Sequence, residues 1–478
     1  MVVARKIAYN VLVSSVSKIL STALALVSIG LVTRYLGKDG FGNYATVLAF
    51  LSFFSAIADL GLNSLSTREI SREKADESGI MSSIFTLRLF VSFAVFIISP
   101  IVVYFFPYPE GVKKGIVIIA FSFLFSSSYQ ILNGVFQKHL AMDRVAVAEF
   151  LGKIVQVAFI FAAIKLNLSF VWIVSSLLCH MIVSFFIVFI LARKYVRIQL
   201  RMDFSHWKKF LRESYPVGIA AIITFVYFKI DTILLSVMKS SADVGIYNVA
   251  YKVMENITFF PAMIVGLVFP IMSSRIFSHR QEFCDIANKT YKVFLLAVVP
   301  LVIGVLFMAE EIVAIIGGQG FPESANILRI LVFALAFIFF GNLNNSILIA
   351  GNFQKKMMSV LAAAAMINIT ANLVLIPRFS YFGAASVSVI TEFMVSFITG
   401  YLVYRNVKYR PQVEKVVGIA FSGAGMALFL FVFDRLNFFV LGMGSLLIYI
   451  FLIWLFRAVK TEEITSIISK KGVNENVS

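Results

Sequence analysis

The stretch that decides the fold is residues 7–35, IAYNVLVSSVSKILSTALALVSIGLVTRY, a long apolar run that carries a polar stripe. Lys18 lies on that stripe, four residues after Ser14 and three before Ser21. Because a charge inside a bilayer is costly, Lys18 indicates a water-filled path or a ligand. The other polar residues recur at spacings of three, four or seven and share the same helical face; they are Asn10, Ser14, Ser17, Ser21 and Ser28.

The whole chain has the composition of a helical membrane protein. Of its 478 residues, 60% are hydrophobic and 14% are charged, and the mean hydropathy is +0.92, whereas soluble domains are nearer half apolar and a quarter charged. The apolar runs are continuous over about 20 residues, the length of a transmembrane helix. We therefore predict an all-α polytopic membrane protein with about fourteen transmembrane helices, at residues 7–35, 40–62, 81–106, 115–137, 145–165, 169–192, 215–238, 245–272, 291–309, 326–350, 357–377, 383–404, 414–433 and 437–457.

The positive charge of the chain follows membrane topology. The formal net charge is +17, but the cations are distributed over loops instead of clustering on a polar domain, so nucleic acid is not an expected partner. With the N-terminus inside, 28 Lys and Arg side chains lie in cytoplasmic segments and 8 in external ones. This bias predicts a cell-membrane protein with both termini cytoplasmic. The most basic loop, residues 193–212, is expected to anchor on the anionic inner leaflet with an amphipathic helix.

The chain contains a duplication. The second predicted helix opens with FGNY at residues 41–44, and the eighth opens with VGIY at residues 244–247. Six helices separate the two motifs, so both run in the same direction and parallel repeats are expected. The predicted parts are two six-helix lobes, a linker and two extra helices: an N-lobe at 1–192, a basic linker at 193–214, a C-lobe at 215–404, and helices thirteen and fourteen with a cytoplasmic tail at 405–478.

The sequence has no pattern typical of a metal site, a disulfide framework or a catalytic domain. Cys179 and Cys284 fall in different predicted segments and the four histidines are scattered, so no metal and no cofactor is expected. The longest loops have about 20 residues, too few for a soluble catalytic domain, and we expect no enzymatic activity. The N-terminal apolar run is longer than a signal-peptide core and is interpreted as a retained helix.

Cations recur inside the predicted helices, and a cationic interior suggests an anionic passenger. Plainer interpretations exist: Arg88 is near enough to the cytoplasmic end to snorkel, and Glu149 precedes Lys153 at the favourable i,i+4 spacing of an ion pair. Arg329, near an external helix end, is interpreted as an interfacial anchor. The candidate substrate-binding residues are Lys18, Arg88, Lys153, Lys229 and Lys252.

Acidic residues inside the helices are candidates for ion coupling, since a proton or sodium site needs a carboxylate that titrates or coordinates. Asp231, Glu255 and Glu392 are these candidates, and each has a structural ion pair as its alternative. Asp59 is expected to cap a helix or pair locally. Asparagines in helices ten and eleven either line a sugar path or join helices by hydrogen bonds; they are Asn342, Asn344, Asn345, Asn368 and Asn372.

Three segments carry a family resemblance. They are NVLVSSVSKILSTALALVSIGLVTRYLGKDGFGNYATVLAF at residues 10–50, ADLGLNSLSTREISR at residues 58–72 and KIDTILLSVMKSSADVGIYNVAYKV at residues 229–253. In this order the chain resembles the polysaccharide flippases, the O-antigen and exopolysaccharide exporters of the multidrug/oligosaccharidyl-lipid/polysaccharide exporter superfamily. The resemblance implies two bundles around a central cavity that opens alternately to each side. It also implies a passenger made of an isoprenoid lipid, a diphosphate and an oligosaccharide.

Other transport and enzyme classes remain as alternatives at this point. A cation-coupled multidrug exporter and a peptidoglycan-precursor flippase share the architecture, although a drug cavity would favour acidic and aromatic residues over lysines. A membrane-embedded polysaccharide polymerase would need a sizeable external loop or an acidic metal motif. We therefore expect a flippase for a lipid-diphosphate oligosaccharide, driven by a proton or sodium gradient and working with polysaccharide-assembly proteins.

Overall fold

The structure, a computed structural model, describes residues 2–59, 61–72, 76–412 and 414–458. The predicted cytoplasmic tail after residue 458 and the side chain of Asn10 lie outside this description. Every regular element of the described residues is helical. The fourteen α-helices are α1 Val2–Asp59, α2 Leu62–Ile70, α3 Glu77–Tyr104, α4 Glu110–Lys138, α5 Met142–Lys165, α6 Phe170–Ala192, α7 Phe204–Met238, α8 Ser241–Ile257, α9 Phe259–Arg275, α10 Arg280–Gly317, α11 Glu323–Ala350, α12 Gln354–Leu402, α13 Val416–Val432 and α14 Phe438–Leu455, with a π-helical turn Val403–Val407 after α12.

Eleven helical stretches of the described residues are long and apolar enough to cross a membrane. Two of them, Val16–Asp59 with 44 residues and Gln354–Val407 with 54 residues, are long enough for two crossings each, because one crossing takes about 20 residues. Helix α13 is a shorter apolar helix that brings the number of crossings to the predicted fourteen. The predicted all-α polytopic membrane fold is confirmed.

Two long helices each contain a pair of predicted ones. Helix α1 bends at Gly37, which has φ 65° and ψ −168°, a conformation that a residue without Cβ adopts at little cost. Predicted helices one and two are therefore the two limbs of α1. Helix α12 bends at Ser380, with φ 49°, three residues after Pro377; proline lacks the N–H that would continue the ladder of hydrogen bonds.

Three element boundaries differ from the sequence-based prediction. Helix α7 begins at Phe204 instead of residue 215, because Asp203 caps it and accepts a 3.1 Å hydrogen bond from the backbone N–H of His206. The eighth predicted helix is broken at Thr258 into α8 and α9. Helix α10 bends at Met308, near the predicted end of helix nine at residue 309, and runs on to Gly317. The short helix α2 was not predicted.

The first of two compact units contains the described residues of 1–249, 314–321 and 361–387. In it α1 packs against α4, α5 and α7, and α4 packs against α3 and α6. A buried apolar cluster joins α2, α3, α4 and the start of α7 at the predicted cytoplasmic end; it includes Leu62, Ile70, Met81, Ile84, Leu132, Phe136, Trp207 and Phe210.

The second unit contains the described residues of 250–313, 322–360 and 388–458. Helix α9 packs on α11, and α13 packs on α14. Its buried cluster draws on α10, α13 and α14 and includes Met308, Ile419, Met426, Leu430, Leu441 and Tyr449. The lobe boundaries predicted at residues 192 and 404 stay predictions.

Candidate functional site

A cavity of about 610 Å³ lies within the first unit. One wall is the second limb of α1, where Ser52, Ser55 and Asp59 line the cavity. These residues stand at i, i+3 and i+7 and so share one helical face. Asn63, in the first turn of α2, continues the same polar stripe.

Helices α4, α6 and α7 form the other walls of the cavity. Ser126 and Gln130 of α4 line it one helical turn apart, and Met181 comes from α6. Thr224 and Lys229 come from α7. The polar part of the lining combines an ammonium group with neutral hydroxyls and amides, which are the donors and acceptors that phosphate and sugar groups bind. The rest of the lining is apolar and includes Phe225 and Phe228.

Asp59 supplies a carboxylate to this lining, and Arg88 of α3 compensates its charge. Arg88 is 0% exposed. Its Nη1 donates to the carbonyl oxygen of Ala58 at 2.7 Å, and its Nη2 forms an ion pair with Oδ1 of Asp59. Asp59 is therefore paired with a residue of another helix instead of the local cap or partner that the sequence predicts. Arg88 lies behind Asp59, and its role as a substrate ligand stays a prediction.

Lys153 and Lys18 lie elsewhere in the first unit. Lys153 donates from Nζ to Oε1 of Gln156 at 2.9 Å. Glu149 accepts a 2.6 Å hydrogen bond from the hydroxyl of Tyr129. Lys18 is exposed on the first limb of α1. Of the cationic candidates in this unit, Lys229 is the one that lines the described cavity.

Asp231 is buried two residues beyond Lys229. Its Oδ2 accepts a hydrogen bond from the hydroxyl of Tyr247, and its Oδ1 accepts one from the backbone N–H of Thr232 at 3.0 Å. Lys229 and Asp231 point in different directions, as a separation of two residues in a helix requires. Tyr247 belongs to the VGIY motif, so Asp231 ties α7 to the start of α8.

Within the second unit, Lys252 and Glu255 form an ion pair of 2.6 Å across one turn of α8. Glu392 is buried in α12. Arg329 pairs with Glu310 at 3.0 Å. The pairing of Lys252 with Glu255 follows from the face that their spacing predicts, and the binding and coupling roles of these residues stay predictions.

Asn344 joins three helices of the second unit. Its Oδ1 accepts a hydrogen bond from the hydroxyl of Tyr291 in α10, and its Nδ2 donates to the carbonyl oxygen of Ser396 in α12 at 3.1 Å. Nδ2 of Asn372, by contrast, donates to Oδ1 of Asn368 in the same helix at 2.9 Å. For Asn344 the structure therefore supports the helix-joining interpretation.

The two repeat motifs touch backbone to backbone within the first unit. A Cβ built on Gly42 would overlap the carbonyl oxygen of Ser241 and lie 2.9 Å from the backbone nitrogen of Gly245. A Cβ built on Gly245 would lie 3.2 Å from the backbone nitrogen of Gly42. Ser241 also donates from Oγ to Oδ1 of Asn43 at 2.8 Å. Gly42 and Gly245, at corresponding positions of the FGNY and VGIY motifs, thus let α1 and the start of α8 meet closely.

Sequence reasoning missed most of the neutral lining. The signal was available, because the α1 stripe has the same helical spacing that singled out Lys18. However, the spacing is ambiguous: Ser52 donates to the carbonyl oxygen of Leu48 at 3.1 Å, and Thr224 to that of Ala220 at 2.9 Å. A hydroxyl that bonds its own helix is satisfied without any ligand, so a polar stripe alone does not predict a cavity.

Residues 7–276, more than half of the chain, match the family model for polysaccharide biosynthesis proteins. The chain belongs to this family. The chain is also similar to a relative described as "Probable low-salt glycan biosynthesis flippase Agl15" of Haloferax volcanii, at 22% identity over 443 residues, which cover 90% of each chain. The family resemblance drawn from the sequence is confirmed.

Solved structures agree on the fold of this polysaccharide biosynthesis family member. Lipid II flippase MurJ in an inward closed conformation superposes with a TM-score of 0.75 at 16% identity, covering 95% of this chain and 100% of that one. An inward-facing MATE family multidrug transporter superposes with a TM-score of 0.65 at 14% identity, and the match covers 83% of this chain and 98% of the transporter. The protein is thus a multi-pass membrane protein with the fold of flippases and transporters.

No group of three His, Cys, Asp or Glu side chains that could hold a metal occurs among the described residues. Cys179 and Cys284 are both free thiols. The groups that a ligand in the cavity would meet are the Lys229 ammonium, the Asp59 carboxylate with Arg88 behind it, and the hydroxyls and amides of the walls.

Proposed function

We propose that this protein is a flippase that moves an isoprenoid-diphosphate-linked oligosaccharide across the cell membrane by alternating access. The observation that carries the proposal is the lining of the cavity in the first unit, where Lys229 stands among hydroxyl and amide side chains. Membership of the polysaccharide biosynthesis protein family supports the same substrate class.

The cations at the cavity suit an anionic ligand. Lys229 lines the cavity, and the carboxylate of Asp59 is already paired with Arg88. A diphosphate that leaves water needs fixed cations and hydrogen-bond donors in place of its hydration shell. The neutral side chains of Ser52, Ser126 and Gln130 suit a sugar chain, which carries no charge to be matched.

The same charges argue against a drug exporter. A cavity that selects organic cations uses a carboxylate whose charge is available to the ligand. The carboxylate of Asp59 is already held by Arg88, and Lys229 adds a further cation to the same lining. A polysaccharide polymerase would be an enzyme, and we propose transport without a chemical step.

Ion coupling and orientation belong to the same proposal. Asp231, Glu255 and Glu392 are the proposed proton or sodium sites, because each carries a carboxylate in a membrane-spanning helix. The positive-inside bias supports cytoplasmic termini. Polysaccharide-assembly proteins are the proposed partners.

The experiment replaces Lys229 by Gln, which keeps a polar side chain and removes the charge. A hydrogen bond to a charged group is worth roughly 1.5–3 kcal/mol, so export should fall about tenfold or more. Lys229→Arg should restore more activity than Gln, since guanidinium retains the charge and binds phosphate in a fork. The measurement is polymer display at the surface of a strain that lacks its own flippase, with the amount of folded protein checked.

Lys165→Gln is the matched control. Lys165 ends α5, and its ammonium lies 5.6 Å from the ring centre of Phe161, away from the cavity. This variant should export normally. Normal export by folded Lys229→Gln protein would contradict the proposed role of the cavity.

A further inference from the structure

The segment between α6 and α7 is fixed to α3 by a ladder of hydrogen bonds. Backbone N–H groups of Arg197, Gln199 and Arg201 donate to side-chain hydroxyls of α3: Arg197 to Ser78 at 3.1 Å, Gln199 to Ser82 at 3.0 Å and Arg201 to Thr86 at 2.9 Å. Successive acceptor residues are four positions apart in α3, which separates them by about 6.0 Å along the helix axis. The donors are two residues apart in an extended chain, about 6.6 Å, so the two periods match over three rungs.

The start of α7 is also anchored to α3. The indole Nε1–H of Trp207 donates to the carbonyl oxygen of Ser83 at 3.0 Å, and Trp207 is 8% exposed. Asp203 caps the helix, and the hydrogen bond from the ring of His206 holds the pKa of Asp203 at about 2, so this carboxylate stays ionised at neutral pH. We call residues 193–212 the basic strap.

The strap exposes large apolar side chains that the protein does not cover. Leu200 is 76% exposed, Met202 is 65% exposed and Phe204 is 71% exposed. Alternate N–H groups of this segment donate to α3, which is the alternation of extended chain, and we infer that Leu200 and Met202, two residues apart, share a face. Three neighbouring apolar side chains of this size indicate a surface that meets an apolar phase.

The apolar side chains are flanked by cations. The strap has seven Lys and Arg residues and one acidic residue, Asp203, whose carboxylate caps α7 and lies 3.8 Å from Nη2 of Arg201. All seven cations are exposed: Arg193, Lys194, Arg197, Arg201, Lys208, Lys209 and Arg212. Apolar side chains bordered by cations match a lipid surface that offers acyl chains below anionic headgroups.

We propose that the basic strap is a binding site for anionic phospholipids, separate from the translocation cavity. Leu200, Met202 and Phe204 insert between acyl chains, while Arg197, Arg201 and Lys208 bind headgroup phosphates. The hydroxyl ladder on α3 holds this surface in place before lipid binds, so little ordering of the chain opposes binding. The proposal requires no assumption about the transported substrate.

The experiment uses the fluorescence of Trp207 in the reconstituted full chain. Trp172→Phe and Trp454→Phe leave Trp207 as the single tryptophan. Liposomes of phosphatidylcholine contain the same mole fraction of either brominated phosphatidylglycerol or brominated phosphatidylcholine, whose bromine atoms quench nearby tryptophan. One Lys or Arg near an anionic surface contributes about fivefold in affinity. Brominated phosphatidylglycerol should therefore associate with the strap about fivefold or more in preference to brominated phosphatidylcholine.

In the variant Arg197→Gln/Arg201→Gln/Lys208→Gln, the ratio of association of brominated phosphatidylglycerol to brominated phosphatidylcholine should fall close to one. The control Lys113→Gln/Lys114→Gln, near the start of α4, should leave the preference unchanged. Raising the salt concentration in the parent protein should lower the preference, because salt screens exposed charges. Equal quenching by the two lipids in the parent protein would overturn the proposal, and so would a preference that persists in the folded triple variant.

Discussion

Replacing Gly42 by Ala tests the contact between the two repeat motifs. The added Cβ would overlap the carbonyl oxygen of Ser241 and lie 2.9 Å from the backbone nitrogen of Gly245. Both obstacles are backbone atoms, so α1 and the start of α8 must separate to make room. Overpacking of this kind costs about 1–3 kcal/mol, and the better helix propensity of Ala returns up to about 1 kcal/mol. We expect the contact to be weakened by a net free energy of roughly 1–2 kcal/mol. The equilibrium constant for opening the contact should therefore rise about 5- to 30-fold.

The assay is thiol labelling of purified protein. Cys179 and Cys284 are replaced by Ser, and Ser241→Cys becomes the single thiol. Ser241 is half-buried and bonded to Asn43 in the parent structure, so a maleimide should react slowly there. In the Gly42→Ala background the same thiol should react about tenfold faster if reaction needs the contact to open.

Gly111→Ala is the control for helix propensity. A Cβ at Gly111 would lie 3.6 Å from Cδ1 of Phe170, an ordinary contact, and labelling at position 241 should not change. If Gly42→Ala leaves both the labelling rate and the thermal midpoint unchanged, the motifs are not packed as tightly as the structure requires, and the reasoning fails.

Two further predictions concern charge. Asp59→Asn leaves Arg88 buried without its carboxylate, and removing one partner of a buried ion pair costs about 3–5 kcal/mol. The thermal midpoint of unfolding in detergent should therefore fall clearly, and combining Asp59→Asn with Arg88→Met should recover much of the loss. An unchanged midpoint in the single variant would rule out a stabilising pair. The charge bias predicts that the basic strap is cytoplasmic. The thiol of Ser205→Cys should therefore not react with a membrane-impermeant maleimide applied to intact cells, and should react once the membrane is opened. Labelling of intact cells would show that the predicted orientation of the protein is wrong.

The sequence predicted the helices well because hydropathy over about 20 residues reports membrane crossing directly. The predicted helix boundaries differ from the structure where the charge or hydropathy of a segment does not report its backbone conformation. Residues 193–214 are predicted to be a basic linker with an amphipathic helix, whereas residues 204–214 belong to the same continuous helix as the membrane span, α7. The bends at Gly37 and Ser380 look like loops in the sequence, because one residue of unusual φ interrupts each helix.

The cavity was only partly predictable. Lys229 was selected by its depth in a helix, and it lines the cavity. The pair of Arg88 with Asp59 joins residues on different helices, whereas spacing rules reach only three or four residues along one helix. Ser52 and Gln130 carried no separate signal, since a polar side chain in a membrane helix serves its own backbone, a neighbouring helix or a ligand equally well.

The ladder between the basic strap and α3 sets a rule for how this loop can change in evolution. Surface loops ordinarily tolerate insertions and deletions. Here one extra residue before Gln199 would shift the register of the chain, so that the following N–H groups would no longer donate to the hydroxyls of Ser82 and Thr86. It would also turn Leu200 and Met202 toward the opposite face, because the side-chain period of an extended chain is two. Relatives that keep the hydroxyls of α3 should therefore vary the composition of this loop while conserving its length.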